Sequence, residues 1–223
     1  MKILVIGGTA RARRLATRLA RHHTVTYSLA GVTEQPRLPR DCEVRRGPFG
    51  GVAGLVAYLK REHVERVIDG SHPHAGRISH NVEAACTECR LPRTALRWRL
   101  WQPDTGDRWT AFTDVAEMPR ALKARAPSRV LLALGAQASR PLLDVPGHHY
   151  VWRCVEPPAD GVLAPHITLL LARGPFTLSS EKALLEHHRI DLVVCKNSGL
   201  SQGRAKLHAA RSLGIEAWVL ETG

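Results

Sequence analysis

The sequence predicts an α/β fold of two parallel-sheet lobes. Three observations carry this. Short apolar runs alternate with amphipathic segments from end to end, the βαβα rhythm of a parallel sheet with helices on both faces. The rhythm breaks once, over residues 98–112, where Trp98, Trp101 and Trp109 stand among Pro103, Asp104, Gly106 and Asp107, and then resumes. The chain has 223 residues, 44% of them hydrophobic, as expected for one or two ordinary globular domains. Together these predict two α/β lobes, the first over residues 1–105 and the second over residues 106–223.

The elements follow in order. Residues 2–6 read as a buried strand, because Ile3-Leu4-Val5-Ile6 is apolar without alternation and stops at Gly7-Gly8. Residues 10–21 read as a helix. The β-branched and aromatic run 24–29 reads as a strand, and 42–46 as a weak one. Val52, Leu55, Val56 and Leu59 have helical spacing within 51–62. A strand at 66–69, a helix at 75–89 and a strand at 93–97 complete the first lobe. After the break come a helix at 113–124, a strand at 129–134, a helix at 137–143 and a strand at 148–154. A Pro- and Gly-rich loop at 155–165 leads to a strand at 166–172, a helix at 178–188, a strand at 191–195, a helix at 202–213 and a strand at 216–220. Gly214 stands where a helix C-cap glycine is expected.

Composition narrows the function. Lys and Arg number 32 against 20 Asp and Glu, for a net charge of +12, and most of the cations are arginine. Arginine forks match carboxylate and phosphate. A nucleic-acid binder concentrates charge on one element with aromatics interleaved. Here arginine is dispersed and aromatics are 5%, so no nucleic-acid partner is expected. The densest basic cluster is Arg11, Arg13, Arg14, Arg18 and Arg21 on the first helix, a placement suited to a small anion. No apolar run approaches the ~20 residues of a membrane span, and the N-terminal run is too short for a signal peptide. Neither a membrane partner nor export is expected. The five scattered cysteines read as free thiols of a cytoplasmic protein. Cys86 and Cys89 lack a second pair and read as core or helix-face residues, so no metal site is expected. The oligomeric state stays open, with a monomer slightly favoured.

Chemistry-bearing residues gather at strand ends, where open α/β sheets bind ligands. Gly7-Gly8-Thr9-Ala10-Arg11 joins the first strand to the first helix, a turn suited to phosphate. Ser28-Leu29-Ala30-Gly31 follows the second strand, and no acid appears there until Glu34, which favours NADPH over NADH. Asp69-Gly70-Ser71-His72-Pro73 leaves the 66–69 strand. In the second lobe, Gln137, Arg173 and the run Lys196-Asn197-Ser198 occupy equivalent positions.

As an ordered set these motifs resemble the precorrin-6A reductase family of corrin biosynthesis. The set is Gly-Gly-Thr, Ser-Leu-Ala-Gly, Asp-x-Ser-His-Pro, Arg-Gly-Pro-Phe, and Lys-Asn-Ser-Gly followed by Ala205-Lys206-Leu207, and the resemblance runs from Met1 to about Glu221. It implies two Rossmann-like lobes flanking a central cleft, the first holding the cofactor and the second completing the substrate cleft. It implies hydride transfer from NADPH to a carbon–carbon double bond of the polycarboxylate tetrapyrrole precorrin-6A, giving precorrin-6B. It implies that Gly7, Gly8 and Thr9 cradle the pyrophosphate and that Ser28 and Gly31 approach the adenosine. Asp69, Ser71 and His72 would border the nicotinamide, and Gln137, Arg173, Lys196, Asn197 and Ser198 the substrate. Many relatives carry Glu at the place of Arg11 and Arg at the place of Val32, so Arg11 or Arg13 is the candidate partner for the 2′-phosphate. The proton that accompanies the hydride has three protein candidates, His72, Lys196 and Asp69, with solvent as a fourth. A non-redox tetrapyrrole enzyme and a cobalt-bearing substrate stay open as alternatives.

Overall fold

The computed structural model describes residues 1–31, 36–97, 99–158, 163–200 and 203–221. Val32, Glu34 and Trp98 lie outside these. The chain forms two compact units, Met1–Arg97 and Trp98–Gly223.

The first unit runs β1 (Lys2–Ile6), α1 (Ala10–Leu19), β2 (Thr24–Leu29), β3 (Glu43–Arg46), α2 (Gly51–Arg61), β4 (Arg66–Asp69), α3 (Gly76–Cys89) and β5 (Arg93–Ala95). Its sheet is all parallel, in the order β3-β2-β1-β4-β5. The chain steps outward from β1 to β3 and then returns to the other side of β1. The connections therefore part between β1 and β4, and their carboxyl ends border the crevice where such sheets take ligands. Both faces are covered, which explains the unbroken apolar run of β1. Leu4 and Ile6 pack with Leu55, Leu59, Val82 and Cys86, while Ile3 and Val5 pack with Ala12, Ala16, Val25 and Tyr27. The sheet-facing side of α1 is alanine, so the helix lies close: a Cβ on Gly70 would stand 2.5 Å from the Ala12 Cβ.

The second unit runs β6 (Trp109–Phe112), a 3-10 turn (Val115–Glu117), α4 (Met118–Lys123), β7 (Arg129–Ala133), α5 (Ala136–Leu143), β8 (His149–Cys154), β9 (Ile167–Leu171), α6 (Leu178–His187), β10 (Leu192–Lys196), α7 (Ala205–Ser212) and β11 (Glu216–Leu220). This sheet is also all parallel, in the order β6-β11-β10-β7-β8-β9. Its connections part between β7 and β10.

Two expectations need correction. Residues 98–112 are not simply a crossover. Trp109–Phe112 is an edge strand paired with β11, and Trp101 is buried in a core cluster with Leu131, Val193 and Leu207. The units therefore divide at Arg97, ahead of the tryptophans. The helix expected over 113–124 is a 3-10 turn followed by a short helix. Asp114 caps the turn through the Ala116 N–H at 2.9 Å, and Pro119, which has no N–H to donate, sits at the start of α4.

Candidate active site

In the first unit the β1–α1 turn is held between its neighbours. The Gly7 N–H donates to the Ser28 carbonyl at 2.8 Å, and the Gly70 N–H donates to the Ile6 carbonyl at 3.0 Å. Thr9 is the N-cap of α1. Its buried hydroxyl accepts from the Ala12 N–H at 3.1 Å and donates to the Gly70 carbonyl at 2.8 Å. That hydroxyl thus ties the turn to the end of β4, and what Thr9 offers a ligand is its main chain. Gly8 has φ +108°, and a Cβ there would meet nothing within 4 Å. Arg11 stands in the first turn of α1, where no acid is present, and donates to the Arg97 carbonyl at 2.9 Å, beyond the end of β5. A turn with no side chain in the way, leading into a basic helix N-terminus, fits the pyrophosphate of a dinucleotide.

The two glycines have different causes. A Cβ on Gly7 would lie 2.3 Å from Tyr27 Cζ, so Gly7 is required by an aromatic ring packed beneath the turn. The Tyr27 hydroxyl accepts from the Gly8 N–H at 3.1 Å. The sequence marks Tyr27 only as a strand former. Its place beside Val5 in the β1–β2 register brings it under the turn. Ser28, buried on the opposite face of β2, supports the turn through its carbonyl. Gly31 has φ +86° and lies against Gly47, whose N–H donates to the Leu29 carbonyl at 2.9 Å, so it shapes the ends of β2 and β3.

Asp69, Ser71 and His72 share one turn after β4. Asp69 Oδ1 accepts the Ser71 N–H at 3.1 Å and the Ser71 hydroxyl at 2.7 Å, which leaves Ser79 to donate to Ser71 Oγ at 2.9 Å. Asp69 and Ser71 are both buried and hold the turn in shape. His72 is half-buried, and its Nδ1 accepts the His74 N–H at 3.2 Å. That bond assigns the proton of the neutral ring to Nε2.

In the second unit the structure places Gln137 and Lys196 on neighbouring strand ends. Gln137 is exposed in the first turn of α5, behind Gly135 at φ +86°. Lys196 ends β10, half-buried, and burial lowers its pKa from the ordinary lysine value. Asn197 is fully buried and acts as a clamp. Its Oδ1 accepts the Trp101 N–H at 2.9 Å, and its Nδ2 donates to the Trp101 carbonyl at 3.0 Å and to Glu221 Oε2 at 2.8 Å. Ser198 is buried beside it and lies 3.4 Å from the Leu200 N–H. Arg173 is not brought to the same strand pair. It follows β9, three positions from β10 in the sheet, and faces Glu156 at 4.0 Å.

Sequence reasoning missed three charged groups of this unit. Arg153 on β8 and Glu181 on α6 form a buried pair, with Arg153 Nη1 3.0 Å from both carboxylate oxygens. The Arg153 guanidinium lies 4.2 Å from the centre of the Phe176 ring. Lys206 on α7 is buried, donates to the Gly203 carbonyl at 2.5 Å and lies 5.6 Å from the centre of the Trp101 ring.

The chain matches the family described as Precorrin-6x reductase CbiJ/CobK over residues 2–222. It is 42% identical over 221 residues to the precorrin-6A reductase of Rhodobacter capsulatus, covering 99% of this chain and 87% of that protein. It is 42% identical over 222 residues to that of a Sinorhizobium species, covering 99% and 84%. To the cobalt-precorrin-6A reductase of Salmonella typhimurium it is 30% identical over 241 residues, covering 98% and 86%. A solved CobK precorrin-6A reductase matches with a TM-score of 0.91 at 41% identity, covering 100% of this chain and 88% of that one. With the model match and these relatives spanning nearly its whole length, the chain belongs to the precorrin-6x reductase family.

Proposed function

We propose that this chain is an NADPH-dependent oxidoreductase that reduces a carbon–carbon double bond of precorrin-6A to give precorrin-6B. The observation that carries the reading is the nearly full-length likeness to precorrin-6A reductases. The open glycine turn of the first unit supports a dinucleotide as the reductant. The relatives named precorrin-6A reductase are 37–42% identical and those named cobalt-precorrin-6A reductase 25–30%, which supports precorrin-6A without cobalt as the substrate. No helix among the described residues is long and apolar enough to cross a membrane. The reading includes a cytoplasmic setting, which suits five free thiols.

When bound, NADPH supplies the hydride. In this reading the backbone of Gly7 to Thr9 and the first turn of α1 hold the pyrophosphate, with Arg11 as the nearby cation. Ser28 and Gly31 shape the adenosine end. Asp69 and Ser71 fix the turn that presents His72 to the nicotinamide. Gln137, Lys196 and Ser198 meet one edge of the macrocycle, Arg173 meets a carboxylate further along its rim, and Asn197 holds Trp101 in place. A proton must reach the second carbon. His72 at Nε2 and Lys196 at Nζ carry a proton to give, whereas Asp69 Oδ1 already accepts two hydrogen bonds and serves to orient. The +12 charge draws both anionic partners, more strongly at low salt.

The test is anaerobic. Purified protein is mixed with precorrin-6A and either NADPH or NADH, and the reduced-nicotinamide absorbance is followed. Rapid loss with NADPH, dependent on the macrocycle, is expected. Tight macrocycle binding with no turnover of either nucleotide by folded protein overturns the reading.

A further inference from the structure

Tyr27 has more hydrogen-bonding capacity than the fold uses. Its ring is 2% exposed and lies directly under the β1–α1 turn. The hydroxyl accepts from the Gly8 N–H at 3.1 Å. A phenol that accepts one bond still has its own O–H to donate, and among the described residues no acceptor takes it. Burying a hydroxyl donor without a partner is costly. A phenylalanine would fill the same space without that cost. A glycine at position 7 is also needed to admit this ring, since a Cβ there would meet Tyr27 Cζ at 2.3 Å. The Gly8 nitrogen is 3.1 Å from the hydroxyl, and a Cβ on Gly8 would meet nothing within 4 Å. Burial raises the phenol's pKa, so the proton stays on through the neutral range, and Arg13 is close enough to act on it electrostatically. The Gly8 N–H polarises the phenol toward donating onward, as in any chain of hydrogen bonds.

We propose that Tyr27 is a nucleotide-binding residue whose O–H donates to a pyrophosphate oxygen lying over the Gly7-Gly8 turn. The inference rests on the dinucleotide reading and deepens it. The second glycine turns its N–H inward to the phenol, and the phenol carries the donor outward to the ligand. Tyr27 thus completes an anion cradle that the glycines alone leave short of one donor.

The test is Tyr27→Phe, which removes one oxygen and keeps the ring. Dissociation constants for NADPH, ADP and adenosine are measured by titration, together with the melting temperature with and without ADP. A hydrogen bond to a charged oxygen is worth enough that NADPH and ADP are expected to bind about tenfold more weakly or worse. Adenosine, which has no phosphate, should bind as before. Melting of the free protein should stay near the wild-type value while the ADP-induced rise shrinks. Unchanged ADP affinity overturns the proposal. So does an equal loss for ADP and adenosine with lower melting of the free protein, the mark of a packing role. A wild-type protein that binds no NADPH or ADP refutes the dinucleotide reading itself, a different outcome from wild-type binding that Tyr27→Phe leaves untouched. Should the variant not fold, the wild-type protein labelled at the tyrosine Cζ carbon gives three resonances, one for each of its 3 tyrosines. ADP should move the Tyr27 resonance, assigned by elimination with Tyr58→Phe and Tyr150→Phe, and no movement of it overturns the proposal.

Discussion

Glu181→Gln isolates the buried charge pair of the second unit. The side chains of Arg153 and Glu181 are 5% and 2% exposed, so neither can turn to water when its partner is lost. Glutamine has nearly the shape of glutamate, so no cavity opens and the change is electrostatic. It strands the Arg153 guanidinium, and Lys206, close enough to feel both partners of the pair, loses the attraction of the Glu181 carboxylate as well. Removing one member of a buried pair costs about 3–5 kcal/mol. At about 2–4 °C per kcal/mol in a chain of this size, melting falls by roughly 6–20 °C. Urea unfolding followed by tryptophan fluorescence is the assay. All 5 tryptophans stand at position 98 or beyond, so the signal reports on the second unit alone. The double variant Arg153→Met/Glu181→Leu removes both charges and keeps the volume filled. It is expected to recover to within about 1 kcal/mol of wild type, because an apolar replacement of a buried pair is often neutral or stabilising. A single variant that costs less than about 1 kcal/mol, or a double variant as unstable as the single one, would refute the view that the stranded charge is the cause.

Three further outcomes are expected. Gly8→Val should keep the fold and lose NADPH affinity, because the added side chain enters the open space above the turn and the φ of +108° disfavours it; a titration checks the affinity and circular dichroism the fold. His149 and His188 are held below the ordinary imidazole pKa, first by burial and then by neighbours, Arg129 and His166 for the one, His187 and Arg129 for the other. The unfolded chain then binds more protons near its ~6.5 reference value, so stability should be full above about pH 6.5 and fall as the pH drops below it; urea midpoints across pH 5–8 test the slope, and His149→Gln should flatten it. Lys196→Met should raise the KM for the macrocycle and leave the NADPH dissociation constant unchanged, and in the wild type macrocycle binding should weaken with rising pH before the ordinary lysine value of ~10.4 is reached.

Features set by neighbours in the chain were legible, and features set by distant partners were not. The apolar run of β1 announces a strand covered on both faces, and parallel α/β order then puts any ligand at strand ends. On that basis Gly8, Asp69, His72, Gln137 and Lys196 could be placed at or just beyond strand ends before their surroundings were known. The strand β6 escaped notice because four residues at a sheet edge, preceded by the turn Asp104-Thr105-Gly106-Asp107, read locally as part of a loop; its pairing with β11 joins residues over a hundred positions apart. Asn197 shows the same limit within the site. A polar residue after a buried strand is visible, but its partner Trp101 is 96 positions away, so its work as a clamp is not. Arg153 gives no signal of meeting Glu181, 28 positions on.

The glycine pair carries this distinction into experiment. Gly7 and Gly8 are alike in sequence, and a phosphate-loop motif treats them as one feature. In the fold, Gly7 answers to the Tyr27 ring below it and Gly8 to a backbone angle and the space above. A substitution at Gly7 forces a contact at 2.3 Å with a fully buried aromatic, so any loss of nucleotide binding would be mixed with damage to the core. A Cβ at Gly8 meets no protein atom within 4 Å and its only conflict with the protein is the backbone angle, so binding lost there with stability kept belongs to the ligand. Tyr27→Phe approaches the same turn from below, leaving both glycines and the ring in place. Loss in both variants, with adenosine unaffected in the second, would locate the nucleotide's phosphates at the Gly7-Gly8 turn, within reach of the Tyr27 hydroxyl, by two perturbations that share no atom.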